Sequence, residues 1–319
     1  MKIIRSLDEI CSPFGKTVAT LGNFDGVHLG HRAIFRNLVK RARRESGVSV
    51  VCTFEPHPLK ILAPDHAPRL INTRAEKERL IAASQVDILL QIPFDHHLAA
   101  MSPVTFVDEI LLGKLGVQHL IVGFDYAFGK GRAGSVGFLC AQGKDKGFGV
   151  DIFGPVQCDG SVLSSTRVRQ SILRGDVEDA KNMLGRHFNL EGRVVHGDQR
   201  GKSLGFATAN IETDKELLPL SGVYAGRVRL NSTEHNVVIN IGHKPTFGYN
   251  SLTIEVHLLD FEGNLYGDNM RVYFVERLRG EQKFSSTDEL IHAITDDIEC
   301  ARKILHTCKI VEYSEYLET

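Results

Sequence analysis

The stretch Thr17-Val18-Ala19-Thr20-Leu21-Gly22-Asn23-Phe24-Asp25-Gly26-Val27-His28-Leu29-Gly30-His31 decides how the first half of the chain folds. Its opening five residues, Thr17–Leu21, read as a buried strand. From Leu29 onward Ile34, Phe35, Leu38, Val39 and Ala42 recur at helical spacing, with Arg36, Lys40, Arg43 and Arg44 on the opposite, solvated side. Strand, glycine-bearing turn and helix make a βα unit, and the alternation is repeated downstream. Residues 49–54, 87–92, 119–122 and 150–153 are further strand candidates separated by helical stretches. The expected class up to about Gly185 is therefore α/β, with a parallel sheet.

Beyond Gly185 the texture changes. Strand-like runs at 192–196, 206–211, 223–230, 236–241, 252–259 and 270–275 follow one another across Gly, Asn and Asp turns, as in an antiparallel sheet or small barrel. Ser286 precedes Glu289 by three residues as in a capping box, and Leu290, Ile294, Ile298, Ala301 and Leu305 form a stripe for one terminal helix packed on that barrel. A length of 319 residues suits two domains, divided here as 1–185 and 186–319 where the periodicity changes. The 42% hydrophobic and 24% charged content is that of a globular protein. A formal net charge of −1 gives no basic field for a polyanion, so no nucleic-acid partner is expected. Six cysteines without a CxxC pair read as free thiols in a reducing compartment. No apolar run is long enough to span a membrane, and MKIIRSLDEI lacks a signal-peptide core, so the expected address is cytoplasmic. The expected assembly is a monomer or weak homo-oligomer.

The strand-to-helix turn is where a parallel sheet binds anions, because glycines admit the ligand, helix N–H groups point at it and the macrodipole favours negative charge. His28 and His31, three apart at the helix start, can both aim N–H donors at one phosphate chain. A metal pair and a purely structural role are the rival readings; two histidines without a third ligand make a poor zinc site. Two decoys are set aside. Gly129 to Gly134 satisfies G-x-G-x-x-G but follows the fourth strand rather than the first, and Gly197 to Ser203 is one residue short of a Walker A loop and leads into a strand rather than a helix.

These residues carry a family resemblance. Gly22 to His31 resembles the H-x-G-H signature of the nucleotidyltransferase superfamily, and specifically the bacterial bifunctional riboflavin kinase/FAD synthetase family. Phe54-Glu55-Pro56-His57-Pro58 resembles the F-x-P-H-P turn of that family, Gly123 to Lys130 its G-x-D-F-x-F-G-K segment, and Ser164-Ser165-Thr166-Arg167-Val168-Arg169 its S-S-T-R-I-R motif. The resemblance implies a Rossmann-like nucleotidyltransferase sheet that transfers an adenylyl group from ATP to FMN, giving FAD and pyrophosphate. That chemistry needs alignment and charge neutralisation rather than a protein nucleophile. On the matching positions, His28, His31 and Arg167 are the expected catalytic groups. Gly22, Asn23, Phe24, Asp25, Gly30, Phe54, Pro56, His57, Phe128, Ser165, Thr166 and Arg169 are expected to bind nucleotide or flavin. Asp125 is assigned to flavin-nucleotide or metal contact, with turn capping as its ordinary alternative.

In the second half, Gly192 to Gly197 with Gly201 to Asn210 resembles the riboflavin kinase domain, whose signature ends G-x-P-T-A-N; here Ala207 stands for the proline. Thr208 and Asn210, two apart on a strand, face one side and can hold a Mg²⁺–nucleotide. The absent proline loosens that turn at a cost of at most about 1 kcal/mol. Gly197, Lys202, Gly205 and Phe206 join the expected binding set. Asn240 to Phe247 matches N-I-G-x-x-P-T-F, and Glu255 falls on the catalytic glutamate of the family, on a strand whose Ile254, Val256 and Leu258 face the other way. It is expected to accept the riboflavin hydroxyl proton as that oxygen attacks the γ-phosphorus. Arg279, Glu281, Lys283 and Phe284 match L-R-x-E-x-K-F and are assigned to loop and flavin-side contacts. The implied ligands are riboflavin, FMN, FAD, ATP and Mg²⁺. Two competing readings are another adenylyltransferase with a regulatory β domain, and a flavin-binding sensor without turnover.

Overall fold

The computed structural model describes residues 1–197, 206–230, 233–246 and 249–312, with side chains over 243–251 left aside. The chain divides into two compact units, Met1–Ser165 and a second that begins at Thr166.

The first unit is built on a six-stranded sheet of β1 (Lys2–Ile4), β2 (Thr17–Leu21), β3 (Val48–Glu55), β4 (Ile88–Pro93), β5 (Val117–Gly123) and, after the two-residue pair β6 (Ala127–Phe128) and β7 (Gly134–Ser135), β8 (Gly149–Phe153). Every pairing in it is parallel, in the order β1-β4-β3-β2-β5-β8. Five of these strands are those the alternation predicts. The edge strand β1 is not: three residues are too few to show a period, and only pairing to β4 makes them a strand. On one face Ala19, Leu21, Val50, Cys52 and Leu90 pack with Phe106, Ile110, Leu111 and Leu139. The alternate residues Val18, Val51 and Ile121 are buried on the other face, the side of the helix Leu29–Arg44 with its buried Ile34, Phe35, Leu38 and Val39. Burial on both sides is what a parallel sheet requires. The chain runs outward from β2 through β3 and β4 in one direction, and through β5 and β8 in the other. The topological switch point thus lies between the C-terminal ends of β2 and β5. A hairpin of β9 (Gln157–Cys158) and β10 (Ser161–Val162) follows β8, turning on Asp159 and Gly160, both at positive φ.

In the second unit the helices following Ser165 lead into a closed antiparallel barrel of β11 (Asn189–Val195), β12 (Ala209–Glu212), β13 (Gly222–Leu230), β14 (Thr233–Thr246), β15 (Tyr249–Leu258) and β16 (Asn269–Arg279). Its interior holds Tyr224, Val228, Ile239, Ile241, Val256 and Phe274, all fully buried. The terminal helix Thr287–Thr307 lays Ala301 and Leu305 on Val223, Ala225 and Val238 of the outer wall, as the stripe predicts. The Ser286 hydroxyl accepts the Glu289 N–H at 3.2 Å while the Glu289 carboxylate reaches back to Ser285. After that helix the backbone of Val311 pairs with His187, and Ile310 is buried. Among the described residues no helix is long and apolar enough to cross a membrane.

Candidate active sites

At the switch point lies a cavity of about 260 Å³ lined by Gly22, Asn23, Phe24, His28, Gly30 and His31 from the end of β2. Gly123, Phe124, Asp125 and Tyr126 after β5, Phe153 to Val156 after β8, and Val162 to Ser165 complete its wall. Segments about a hundred residues apart meet here because β2 and β5 are neighbours in the sheet and both end at the same edge.

His28 caps the helix Leu29–Arg44: its Nδ1 accepts the His31 N–H at 3.3 Å, which leaves the proton of the neutral ring on Nε2. The two imidazoles stack with centroids 3.6 Å apart, and the Phe24 ring meets His31 edge-on at 5.2 Å. Gly30 permits this stack, since a Cβ there would stand 3.1 Å from the His28 ring and 3.3 Å from Leu163. Phe24 and Val27 both sit at positive φ, a strained backbone concentrated at the turn. The turn is fastened from two sides: Thr53 donates to the Asn23 carbonyl at 3.1 Å, and Ser165 to the Asp25 carbonyl at 2.8 Å.

Within the first unit, several residues grouped with the site on sequence grounds stand behind it. The Asp25 carboxylate is buried and accepts the backbone N–H groups of Ile71 (3.0 Å) and Asn72 (3.4 Å), so it anchors a neighbouring loop rather than lining the cavity. Phe128 is a core residue stacked on Tyr126 and packed against Phe106 and Phe138. Phe54 packs edge-on against Phe94, and the Glu55–Pro56 bond is cis. His57 caps the helix Pro58–Leu62 through Nδ1 and stands 3.2 Å from the Asn23 amide by Nε2, so it touches the site through Asn23. Thr166, Arg167 and Arg169 fall in the second unit; Arg167 is 3.9 Å from the Asp179 carboxylate. The G-x-G-x-x-G match forms a short turn between β6 and β7, not a strand-to-helix loop. The apolar wall of Phe124, Phe153, Val156 and Val162 was not singled out from sequence; the Asp159-Gly160 turn of the hairpin was the available signal.

On the barrel, one row of directly paired residues crosses the outer wall: Arg279, Val223, Asn240, Glu255, Asn210 and Val195. Paired residues point to the same face, so Asn240, Glu255 and Asn210 lie side by side about 5 Å apart. Ile254, Val256 and Leu258 turn inward and are buried, which puts the half-buried Glu255 on the outer wall, as alternation predicts. Asn210 lies within β12, while Thr208 precedes that strand by one residue. Gly197 lies against Asn210: a Cβ there would be 2.0 Å from the Asn210 amide nitrogen. Glu281 rests over Gly242, its carboxylate 2.9 Å from where a Cβ would be.

At Ala207 the structure supplies a tie that the sequence did not reveal. His257 donates from Nδ1 to the Ala207 carbonyl at 2.8 Å, and the Phe206 ring meets His257 edge-on. Arg279 lies three strands from Glu255 in the row and is held by two-pronged contacts of 2.8 and 2.9 Å to the buried Asp297, with Phe284 beneath it. It therefore braces the segment that carries Glu281. Lys202 and Gly205 lie outside the described residues, as does Phe247. Among the described residues no group of three or more His, Cys, Asp or Glu converges as a metal cluster.

Two family models match the chain in tandem: FAD synthetase over residues 12–167 and riboflavin kinase over residues 184–305. A bifunctional riboflavin kinase/FMN adenylyltransferase of Pseudomonas fluorescens is 40% identical over 305 residues, covering 95% of this chain and 98% of that protein. A protein so described from Escherichia coli K12 is 39% identical over 313 residues, covering 97% and 99%. A solved Streptococcus pneumoniae structure, described as a macrolide-efflux protein, superposes with a TM-score of 0.87 at 31% identity, covering 95% of this chain and 99% of that one. With relatives this similar along nearly their whole length, and with a parallel sheet and a closed barrel under the two matches, the chain belongs to the bifunctional riboflavin kinase/FMN adenylyltransferase family.

Proposed function

We propose that the chain makes FAD from riboflavin in two ATP-dependent steps, phosphorylation on the barrel in residues 186–319 and adenylylation at the parallel sheet in residues 1–185. The observation that carries this reading is the presence of two separate constellations in one chain: the stacked His28 and His31 at a helix N-terminus, and the Asn210, Glu255 and Asn240 row on the barrel.

In the first step Glu255 accepts the proton of the riboflavin primary hydroxyl as its oxygen attacks the γ-phosphorus of ATP and ADP departs. The hydroxyl of Thr208 and the amide oxygen of Asn210 are hard oxygen donors of the kind Mg²⁺ takes, and the bare Gly197 leaves room beside them. Bound there, Mg²⁺ supplies charge neutralisation at the phosphate oxygens. Arg279 and Glu281 shape the flanking loop. In the second step a phosphate oxygen of FMN attacks the α-phosphorus of ATP and pyrophosphate leaves. His28 and His31 donate to the phosphate chain while the helix N-terminus favours its charge. By the S-S-T-R-I-R resemblance Arg167 and Arg169 are assigned to nucleotide phosphates, and by the G-x-D-F-x-F-G-K resemblance Asp125 to the flavin nucleotide or its metal. The compartment is the cytoplasm, where six thiols stay reduced.

The test is chromatography of incubations with riboflavin, ATP and Mg²⁺. Glu255→Gln should lower FMN formation by about 10²–10⁴-fold and leave adenylylation of added FMN intact, and His31→Ala should do the reverse. Parallel loss of both activities in either variant would contradict two sites.

A further inference from the structure

Beneath the phosphate turn lies a buried cation that the two-site reading does not use. Lys77, on the helix Arg74–Ala82, is only 8% exposed. Its ammonium donates to Thr53 Oγ1 at 3.5 Å and stands 3.8 Å from the Glu55 carboxylate. Thr53 is fully buried and passes the contact on, donating to the Asn23 carbonyl. The next residue, Phe24, holds a positive φ and sets its ring against His31. A chain of contacts therefore runs from Lys77 through Thr53 and Asn23 to the strained residue that seats a proposed catalytic histidine.

We propose that Lys77 is a positioning residue for adenylyl transfer, its charged ammonium holding the Asn23–Phe24 peptide through Thr53 and balancing the carboxylates of Glu55 and Asp25 behind the turn. The inference rests on adenylylation being located at the sheet. A buried ammonium aimed at a hydroxyl and near two carboxylates is worth more to local geometry than a surface lysine, because little water competes for it. Facing it are Asp25 from the turn after β2, Glu55 from β3, and Arg74 and Glu78 of its own helix. Burial, the largest influence, pulls its pKa below the ordinary lysine value. Activity that needs the charged form is then lost as pH rises through that lowered pKa.

The experiment measures adenylylation of FMN by the full chain from about pH 6.5 to 10.5, with riboflavin phosphorylation in the same preparations as internal control. Lys77→Met should lower kcat for adenylylation by about 10- to 100-fold with KM within about threefold, the pattern of a misplaced group. Lys77→Arg should keep most of the activity and move the alkaline limb upward, since guanidinium stays charged. Thr53→Val, which removes one hydroxyl and no charge, should lower kcat and leave the limb where it is. Phosphorylation should be unchanged in all three. Full activity in Lys77→Met, an unmoved limb in Lys77→Arg, or equal loss of both reactions would each overturn the proposal. A wild-type chain that makes no FAD would instead sink the functional reading, before any variant is compared.

Discussion

Replacing Gly197 by alanine perturbs the kinase site at one atom. The added Cβ would lie 2.0 Å from Asn210 Nδ2 and 2.4 Å from its Cγ. An unstrained contact needs about 3.5 Å, so the amide must retreat by about 1.5 Å. The Asn210 backbone cannot follow, because it is paired to Val195 on one side and Glu255 on the other. The side chain rotates away instead, which spares the fold and removes an oxygen from the proposed nucleotide–metal contact. A displacement of about 1 Å at a reacting site costs on the order of 10²-fold in rate. Gly197→Ala should therefore cut riboflavin phosphorylation by about 100-fold while melting within about 2 °C of the parent, as suits an exchange that leaves the core alone. Gly137→Ala is the control: a Cβ there meets only Ser135 Oγ, at 3.7 Å, on the first turn of the helix Val136–Lys146. Both activities are followed by chromatography of flavin products. Phosphorylation by Gly197→Ala within threefold of the parent would refute the argument that the bare glycine sets the position of Asn210.

Asp297→Ala strands the Arg279 guanidinium, whose side chain is 19% exposed against 8% for its partner, and should cost the barrel about 3–5 kcal/mol in denaturant unfolding; Arg279→Met with Asp297→Leu should recover most of it. Phosphorylation should fall with the single change more than adenylylation does, and a loss below about 1 kcal/mol would mean the pair is not buried in effect. His187 gives a pH signature: burial, then Lys181, pushes it down to about 4. The unfolded chain, with an ordinary value near 6.5, binds that proton first, so stability is flat above about pH 6.5 and falls as pH drops toward 4, by up to about 3 kcal/mol. Thermal unfolding across that window, compared between the parent and His187→Gln, should show the slope in the parent alone; equal slopes would remove His187 as the cause.

The parallel sheet was legible because five of its strands are long enough to carry a run of β-branched and apolar residues, and the barrel because its strands alternate. The orientation of Glu255 followed from Ile254, Val256 and Leu258 alone. The short β1 was not legible, since three residues have no period, nor was the hairpin wall of the cavity, whose strands are two residues each. Motif membership also proved coarser than geometry. Asp25 and Phe128 sit inside signatures that surround the site, yet one anchors a loop and the other fills the core, because only alternate or turned-out positions of a motif can reach a ligand. Lys77 and His257 were missed for the complementary reason: each acts through a backbone carbonyl or a hydroxyl on another element, and such partners leave no local pattern.

What the amino-acid order determined by itself was therefore the kinds of element, their succession and the family, since periodicity and short motifs are local properties of a chain. What only the tertiary structure decided was which distant segments share a wall. Strand order brought residue 22 beside residue 123, and ladder register set Asn210, Glu255 and Asn240 in one row. Those pairings depend on closing loops of tens of residues around a common core, and no window of sequence contains the free energy that selects them.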